Sequence, residues 1–470
     1  MRNAISISLV LALTAGAFAQ GTPGSASPSS LPSAPTPQPS AAQASFILTG
    51  SSDTASGQQN NPATQTLLSL KDAQSLALKN NPQISVARLT ALASLQVARQ
   101  VRSNLWPTAA VELTAVDSEP GGRITAGALN NPAVYARAAG GAEVTQLITD
   151  FGRTTNLLSS ANLAAKVENQ NSVATKEQIL LAVAQAFYSV LQTQAVLAVA
   201  RQTVASRQTV ANQVGALFKN KLKSELDFSF ASVNLAQAKL LLLDAQNSEN
   251  SALAALSAVL GFASLQTFQL VEDTAALTAP QSNVDELIAS AFAMRPEILA
   301  LEFQSESAMK FQKAERDLLF PDIRAMAAVG DTPVRNPLIS PNWYGAVGVN
   351  VDIPVFNGFL FTARAHEASL RAQATQERLR DLRDRIARDV RTSWLNATTA
   401  YDRLAVTQQL LDQANLALNL AQSRYNLGLA SIVELSQAQL QQTQAQISNA
   451  QAGYDYRLSL AVLQFQTTGI

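Results

Sequence analysis

Two kinds of apolar spacing alternate along this chain, and the pair of them occurs twice. In the first occurrence Ala109, Val111, Leu113 and Ala115 alternate with Ala110, Glu112 and Thr114. After a turn-rich stretch, Ala142, Val144, Gln146 and Ile148 alternate with Glu143, Thr145 and Leu147. In the second, Ile323, Ala325, Ala327 and Val329 make one face. Val347, Val349, Val351 and Ile353 then stand opposite Gly348, Asn350 and Asp352. A period of two predicts strands, here two hairpins. The loops at 117–134 and 331–341 carry Pro and Gly turn residues. Each strand is expected to span about 9–11 residues, enough to cross an outer-membrane bilayer when tilted.

Helical spacing fills most of the rest. Long runs at 153–217 and 360–427 each predict a helix of roughly 100 Å, and shorter returns follow at 225–260 and 432–466. Leu427, Leu435, Leu440 and Leu458 recur at helical spacing among many Ala, Ser, Thr and Gln residues. Small residues let helices approach closely, and Gln tolerates either water or a partner. A soluble four-helix bundle fits this periodicity too. Strand pairs of membrane length at matching points make it the less economical reading.

The matching points are an internal repeat. Pro82 and Pro296 lie 214 positions apart, as do Pro107 and Pro321, so 25 positions separate the two prolines in each copy. A helix of about six turns fits between them, with proline tolerated at its start and ending it at the far side. Each hairpin ends at a glycine, in Asp150-Phe151-Gly152 and in Phe356-Asn357-Gly358. The stretch Arg424-Tyr425-Asn426-Leu427-Gly428-Leu429-Ala430-Ser431 has a weaker copy 207 positions earlier, Leu217-Phe218-Lys219-Asn220-Lys221-Leu222-Lys223-Ser224. The two copies are placed at 66–272 and 281–470.

Composition narrows the functional classes. Arg2, the apolar run Ile5–Phe18 and the small residues Ala17 and Ala19 predict a secretory signal peptide at 1–19. The Ser/Pro/Gly-rich stretch 20–65 buries too little to offset its ordering entropy and is expected to be a disordered tether. No cysteine is present, which excludes disulfides and a lipidated N-terminal cysteine. The lone His366 has no companion imidazole and is expected to be an ordinary helix residue. Zero formal charge argues against a nucleic-acid partner. After residue 19 no run is expected to span a membrane as a helix, so any membrane role falls to the strands. Asp381, Asp384 and Asp389 among Arg380, Arg383, Arg385 and Arg388 read as a solvated face with i,i+3 and i,i+4 pairing, not a metal site. With no nucleophile, metal cluster or phosphate loop, neither enzymatic activity nor a cofactor is expected.

Four strands cannot close a barrel, and an open sheet edge in hydrocarbon leaves each backbone group unpaired at a cost of several kcal/mol. Three copies would supply twelve strands and a matching cylinder of helices; two or four copies also give permitted strand counts.

Taken in order and twice over, these motifs resemble the TolC-like outer membrane efflux protein family, over about 67–470. They comprise Asn81-Pro82 and Arg295-Pro296, Trp106-Pro107 and Phe320-Pro321, the two glycine turns, the Arg424–Leu429 stretch, and Thr468-Gly469 mirroring Leu260-Gly261. The resemblance implies a homotrimer with a twelve-stranded β-barrel in the outer membrane. That barrel would be continuous with a long periplasmic α-helical barrel. It implies the exit duct of a tripartite efflux pump or type I secretion system. The duct would dock through a periplasmic adaptor to an inner-membrane efflux or ABC transporter.

The resemblance also places Arg424, Tyr425, Gly428, Leu429 and Ser431, with Phe218, Leu222 and Ser224 of the first copy, at periplasmic hairpin tips. There glycine permits the reversal and Ser431 caps the returning helix. Leu429 beside the glycine is the expected adaptor contact. Lys221 stands where the first copy should carry glycine, and the expectation there is either a wider turn or an adaptor contact less symmetric between the two grooves. Glu434, with Gln437 and the first copy's Asp227, is expected near the closed aperture, where three copies of Glu434 would repel one another and favour cations. Arg424 and Tyr425 are expected to tie neighbouring hairpins together. Asp117, Glu119 and Arg123 in loop 117–134 would face outside the cell. The rival from another class is a periplasmic scaffolding coiled coil, its hairpins packed on protein.

Overall fold

A computed structural model describes residues 67–117, 136–266, 268–272, 276–334 and 342–469. The expected signal peptide 1–19, the tether 20–65, nearly all of loop 117–134 and most of loop 331–341 lie outside the described residues.

Each copy runs from helix pair to strand pair to helical hairpin. The first holds β1 (Leu67–Leu68), α1 (Leu70–Asn80), α2 (Pro82–Ser103), β2 (Thr108–Val116), β3 (Arg137–Thr149), α3 (Arg153–Lys219) and α4 (Glu225–Val259). After β4 (Gln269–Leu270), the second holds α5 (Val284–Met294), α6 (Pro296–Arg316), β5 (Asp322–Val334), β6 (Trp343–Asp352), α7 (Leu360–Asn426) and α8 (Ile432–Thr467). Both α3 and α7 have 67 residues, a length of about 100 Å. Proline opens α2 and α6, where its missing N–H would be unpaired anyway. The two-stranded parallel pair β1–β4 carries no periodicity signal and goes unseen in the sequence.

Two expectations change. The inner strands β3 and β5 have 13 residues, longer than the expected 9–11, and β5 runs through Val334 into what the sequence suggests is loop. Glycines and an Asp-Thr-Pro tail look like a turn, yet Asp331 pairs with Gly140 on one side and Trp343 on the other. The apolar windows of α3 and α4 are also long enough to cross a membrane by composition, contrary to expectation. Both belong to helices that pack side by side, Val183 and Phe187 of α3 against Leu253 and Leu256 of α4.

The sheet order is β2-β3-β5-β6, all antiparallel, so the hairpins of the two copies join through β3 and β5. Its register puts the apolar positions of all four strands on one face. Ala109, Val144, Ala327 and Val347 form one cross-strand row, and Gln146, Ala325 and Val349 another. The opposite face carries Thr108, Glu112, Glu143, Thr145, Arg324 and Asn350. Val111, Leu113, Val347 and Val349 are all exposed. Trp106, Phe151, Phe320, Phe356 and Phe359 mark the end of the sheet near the helices, and Trp343 and Tyr344 the far end.

The helices repeat the lateral order of the strands. Near the sheet it is α2-α3-α6-α7, and further out α4-α3-α8-α7. The shorter helices thus stack end to end beside continuous α3 and α7. Asn81, at the start of α2, donates from Nδ2 to the Val259 carbonyl at the end of α4 (2.9 Å). Arg295, at the start of α6, donates to Gln466 of α8 (2.7 Å) and covers the Phe465 ring (5.5 Å). A buried row in α4, Ala231, Ala238, Ala245 and Ala252, steps by seven, and Ala438, Ala445 and Ala452 match it in α8. A strict period of seven gives a left-handed supercoil, and alanine permits close approach.

Candidate functional site

The two hairpin tips are built alike. In the first, the Lys221 N–H donates to the Phe218 carbonyl (2.9 Å) and the Leu222 N–H to Leu217 (2.8 Å). In the second, Gly428 donates to Tyr425 (3.1 Å) and Leu429 to Arg424 (2.8 Å). Each pair of bonds is a Schellman closure, which needs one left-handed residue. Lys221 has φ 59° and Gly428 φ 75°. Of the two alternatives for Lys221, the wider turn is therefore corrected: lysine accepts the glycine conformation and the two turns share one shape.

Both serines cap the returning helix. Ser224 Oγ accepts from the Asp227 N–H, and the Asp227 carboxylate accepts from the Ser224 N–H, each at 3.1 Å. Ser431 Oγ accepts from the Glu434 N–H (3.3 Å), but the Glu434 carboxylate faces Arg424 Nε at 3.4 Å. The two acids at matched positions thus do different things. Asp227 closes a capping box. Glu434 holds an exposed ion pair within its own hairpin.

Of the two side chains expected to join hairpins, only Tyr425 reaches across. Its ring is buried with Val214 and Ala231 of the first hairpin and Leu435 of its own. Lys223 Nζ sits 4.2 Å from the ring centroid, a cation–π contact between the hairpins. Burial first, and the nearby Asp227 charge second, raise the Tyr425 phenol above its ordinary 10.0. Its hydroxyl is buried without a hydrogen-bond partner among the described residues. Phe218, at the matching position, stacks on Phe228 (5.5 Å, 5°) within its own hairpin. Leu222 and Leu429 point outward, 69% and 68% exposed, and Gln437 is exposed. Sequence reasoning missed Lys223 and Phe228, whose partners lie in another turn or another copy. Among the described residues no group of His, Cys, Asp and Glu is placed to hold a metal ion.

The family model described as "Outer membrane efflux protein" matches residues 73–262 and 287–467, most of the chain. The chain belongs to that family. A similar curated relative is the outer membrane efflux protein BepC of Brucella suis, 23% identical over 328 residues, covering 69% of this chain and 71% of BepC. Among solved structures, the Campylobacter jejuni CmeC outer membrane channel superposes with a TM-score of 0.75 at 15% identity, covering 85% of each chain. The outer membrane protein VceC of Vibrio cholerae gives 0.72 at 19% identity, covering 85% of this chain and 96% of VceC.

As an outer membrane efflux protein, the chain is a channel component of the outer membrane, and its two-faced sheet takes on a meaning. Among the described residues no helix packs across the apolar face of β2-β3-β5-β6. Trp343 lies on that face at its far end, and exposed aromatic side chains flank the strands at the other, as in the girdles of membrane barrels. Strands 13 residues long rise about 28 Å when tilted by roughly 45°, close to the thickness of the hydrocarbon layer.

Proposed function

We propose that three copies of this chain close into the exit duct of a tripartite efflux pump or type I secretion system. The observation that carries this is the shared lateral order of the two layers. Strands β2-β3-β5-β6 and helices α2-α3-α6-α7 end at the same two sides, so one rotation closes both. Open edges in lipid cost several kcal/mol per unpaired group, and twelve strands remove them. The edge helices support the same closure: α4 exposes Leu226, Val233 and Leu240 in steps of seven, and α7 exposes Val406 and Leu420, fourteen apart, with Leu427 just past its end.

The tips face the pump. Leu222 and Leu429, held by the turns at Lys221 and Gly428 and flanked by Phe218, Ser224 and Ser431, are the contacts for a periplasmic adaptor. That adaptor bridges to an inner-membrane efflux or ABC transporter, which supplies the energy. Tyr425, Arg424, Glu434, Gln437 and Asp227 surround the closed aperture, with Tyr425 joining the hairpins and Glu434 setting the charge.

The deciding experiment is the mass of the detergent-extracted particle from outer membranes, corrected for bound detergent. The chain has no cysteine, so cysteine pairs placed on β2 and β6 add a clean cross-linking readout. A threefold particle with a covalent trimer supports the duct. A monomer, dimer or tetramer overturns it.

A further inference from the structure

Above the tips, α3, α4 and α8 line a groove of about 360 Å³ between the two hairpins. Arg207 of α3 lies in it, 8% exposed. One guanidinium nitrogen donates to Thr443 Oγ1 of α8 at 3.2 Å. Among the described residues no carboxylate lies within ion-pair distance of Arg207. Burial alone accounts for its lowered pKa of about 10, so the group is still a cation at neutral pH. A guanidinium offers five donors, and a buried charge is normally paired.

The repeat sharpens the anomaly. Arg207 stands in the buried step-of-seven row Ala200, Arg207, Val214, and the matching row of α7 is Thr407, Ala414, Ala421. A small residue suffices at the equivalent point, so packing does not call for arginine. Apart from Arg207 the lining is uncharged, with polar side chains beside apolar Leu241, Leu440 and Ile447. Asn234 Nδ2 of α4 donates to Ser436 Oγ of α8 at 2.6 Å, and Gln237 and Gln444 add two further amides to the lining.

We propose that this groove binds a small monovalent anion of the halide type, held by the Arg207 guanidinium and neighbouring hydroxyl and amide donors. A single cation among neutral donors suits one negative charge; a phosphate or sulfate would need a second cation, and the groove supplies none. The bound anion joins α3 of the first hairpin to α8 of the second and stiffens the protomer just above its tips. It is separate from the aperture residues.

The test uses the detergent-extracted full chain and chloride as probe. Thermal unfolding is followed in chloride and in methanesulfonate at equal ionic strength. Chloride raises the midpoint saturably by about 2–4 °C. Arg207→Met abolishes the difference and Arg207→Lys keeps part of it. Independently, crystals of the unaltered protein soaked in bromide show an anomalous peak beside Arg207. An equal chloride response in Arg207→Met, or no bromide at the guanidinium, overturns the proposal. So does a carboxylate of a neighbouring copy found paired with Arg207.

Discussion

Lys221 and Gly428 hold the same left-handed position in the two hairpin tips, 207 positions apart, with φ 59° and 75°. A residue with a Cβ pays about 1–2 kcal/mol in that region, whereas glycine does not. Lys221→Gly should therefore stabilise the first tip by about 1 kcal/mol, less what glycine gains in unfolded entropy. Gly428→Ala should loosen the second by a similar amount, since nothing lies within 4 Å of an added Cβ. Hydrogen exchange of the tip amides reads both changes. A slower-exchanging first tip and faster-exchanging second tip are expected, with the rest of the chain unchanged.

Gly261 should respond far more strongly. It too has a positive φ, 87°, but an added Cβ would lie 2.8 Å from both the carbonyl carbon and oxygen of Asn80. Those atoms are backbone and belong to the joint where α4 meets the start of α2, so they cannot swing aside. Gly261→Ala should cost more than about 3 kcal/mol, the left-handed penalty plus displacement of that joint. The yield of folded outer-membrane protein would fall sharply, while Gly428→Ala stays near wild type.

Much of this architecture is legible in the sequence because its signals are local. The period-two runs, the prolines at 82 and 296 and the glycines at 152, 358 and 428 place strands, helix starts and turns to within a few residues. What escapes is set by partners far along the chain. The pairing of β3 with β5 fixes the common apolar face, and neither strand announces it alone. Lys223 meets Tyr425 about 200 positions away, and Arg207 meets Thr443 at a separation of 236. The alanine row of α4 was there to be read, but leucine spacing draws the eye first. At Lys221 the departure from glycine misleads, because turn geometry outweighs one residue's preference.

Tyr425 predicts a pH dependence confined to the tips. Its phenol is held above the usual 10.0 by burial and by the Asp227 charge, so the folded tip keeps the proton that the open form gives up. That stability is fully present below pH 10 and is lost as pH rises through the higher folded value. Hydrogen exchange at the tips should quicken above pH 10 in the wild type and not in Tyr425→Phe. At neutral pH Tyr425→Phe should leave the tip as stable, or steadier by about 1 kcal/mol, because the hydroxyl it removes is buried and unpartnered.

Asp227 and Glu434 occupy matching positions but should separate cleanly by assay. Asp227 serves its helix start through the Ser224 N–H and Oγ, so Asp227→Ala should loosen the first tip by about 1 kcal/mol. Glu434 pairs with Arg424 in the open, an arrangement worth about 0–1 kcal/mol. Its proposed contribution is charge at the aperture. In planar bilayers Glu434→Gln should shift the reversal potential toward zero under a salt gradient without changing tip exchange. An unchanged reversal potential would remove Glu434 from the aperture.

The two faces of β6 supply the last contrast. Val349 lies mid-strand on the apolar face, paired with Ala325, while its neighbour Asn350 pairs with Arg324 on the polar face. Arginine at the lipid-facing midplane of a barrel costs about 2–4 kcal/mol, and a lumen-facing one far less. In the proposed threefold barrel each substitution is repeated three times, so Val349→Arg should abolish stable insertion, read as loss of the protein from the outer-membrane fraction. Asn350→Arg should insert normally and instead lower cation conductance, because in the proposed trimer three added positive charges would line the pore. If both variants insert equally well, the apolar face does not meet lipid; if only Asn350→Arg fails, the sheet faces the other way.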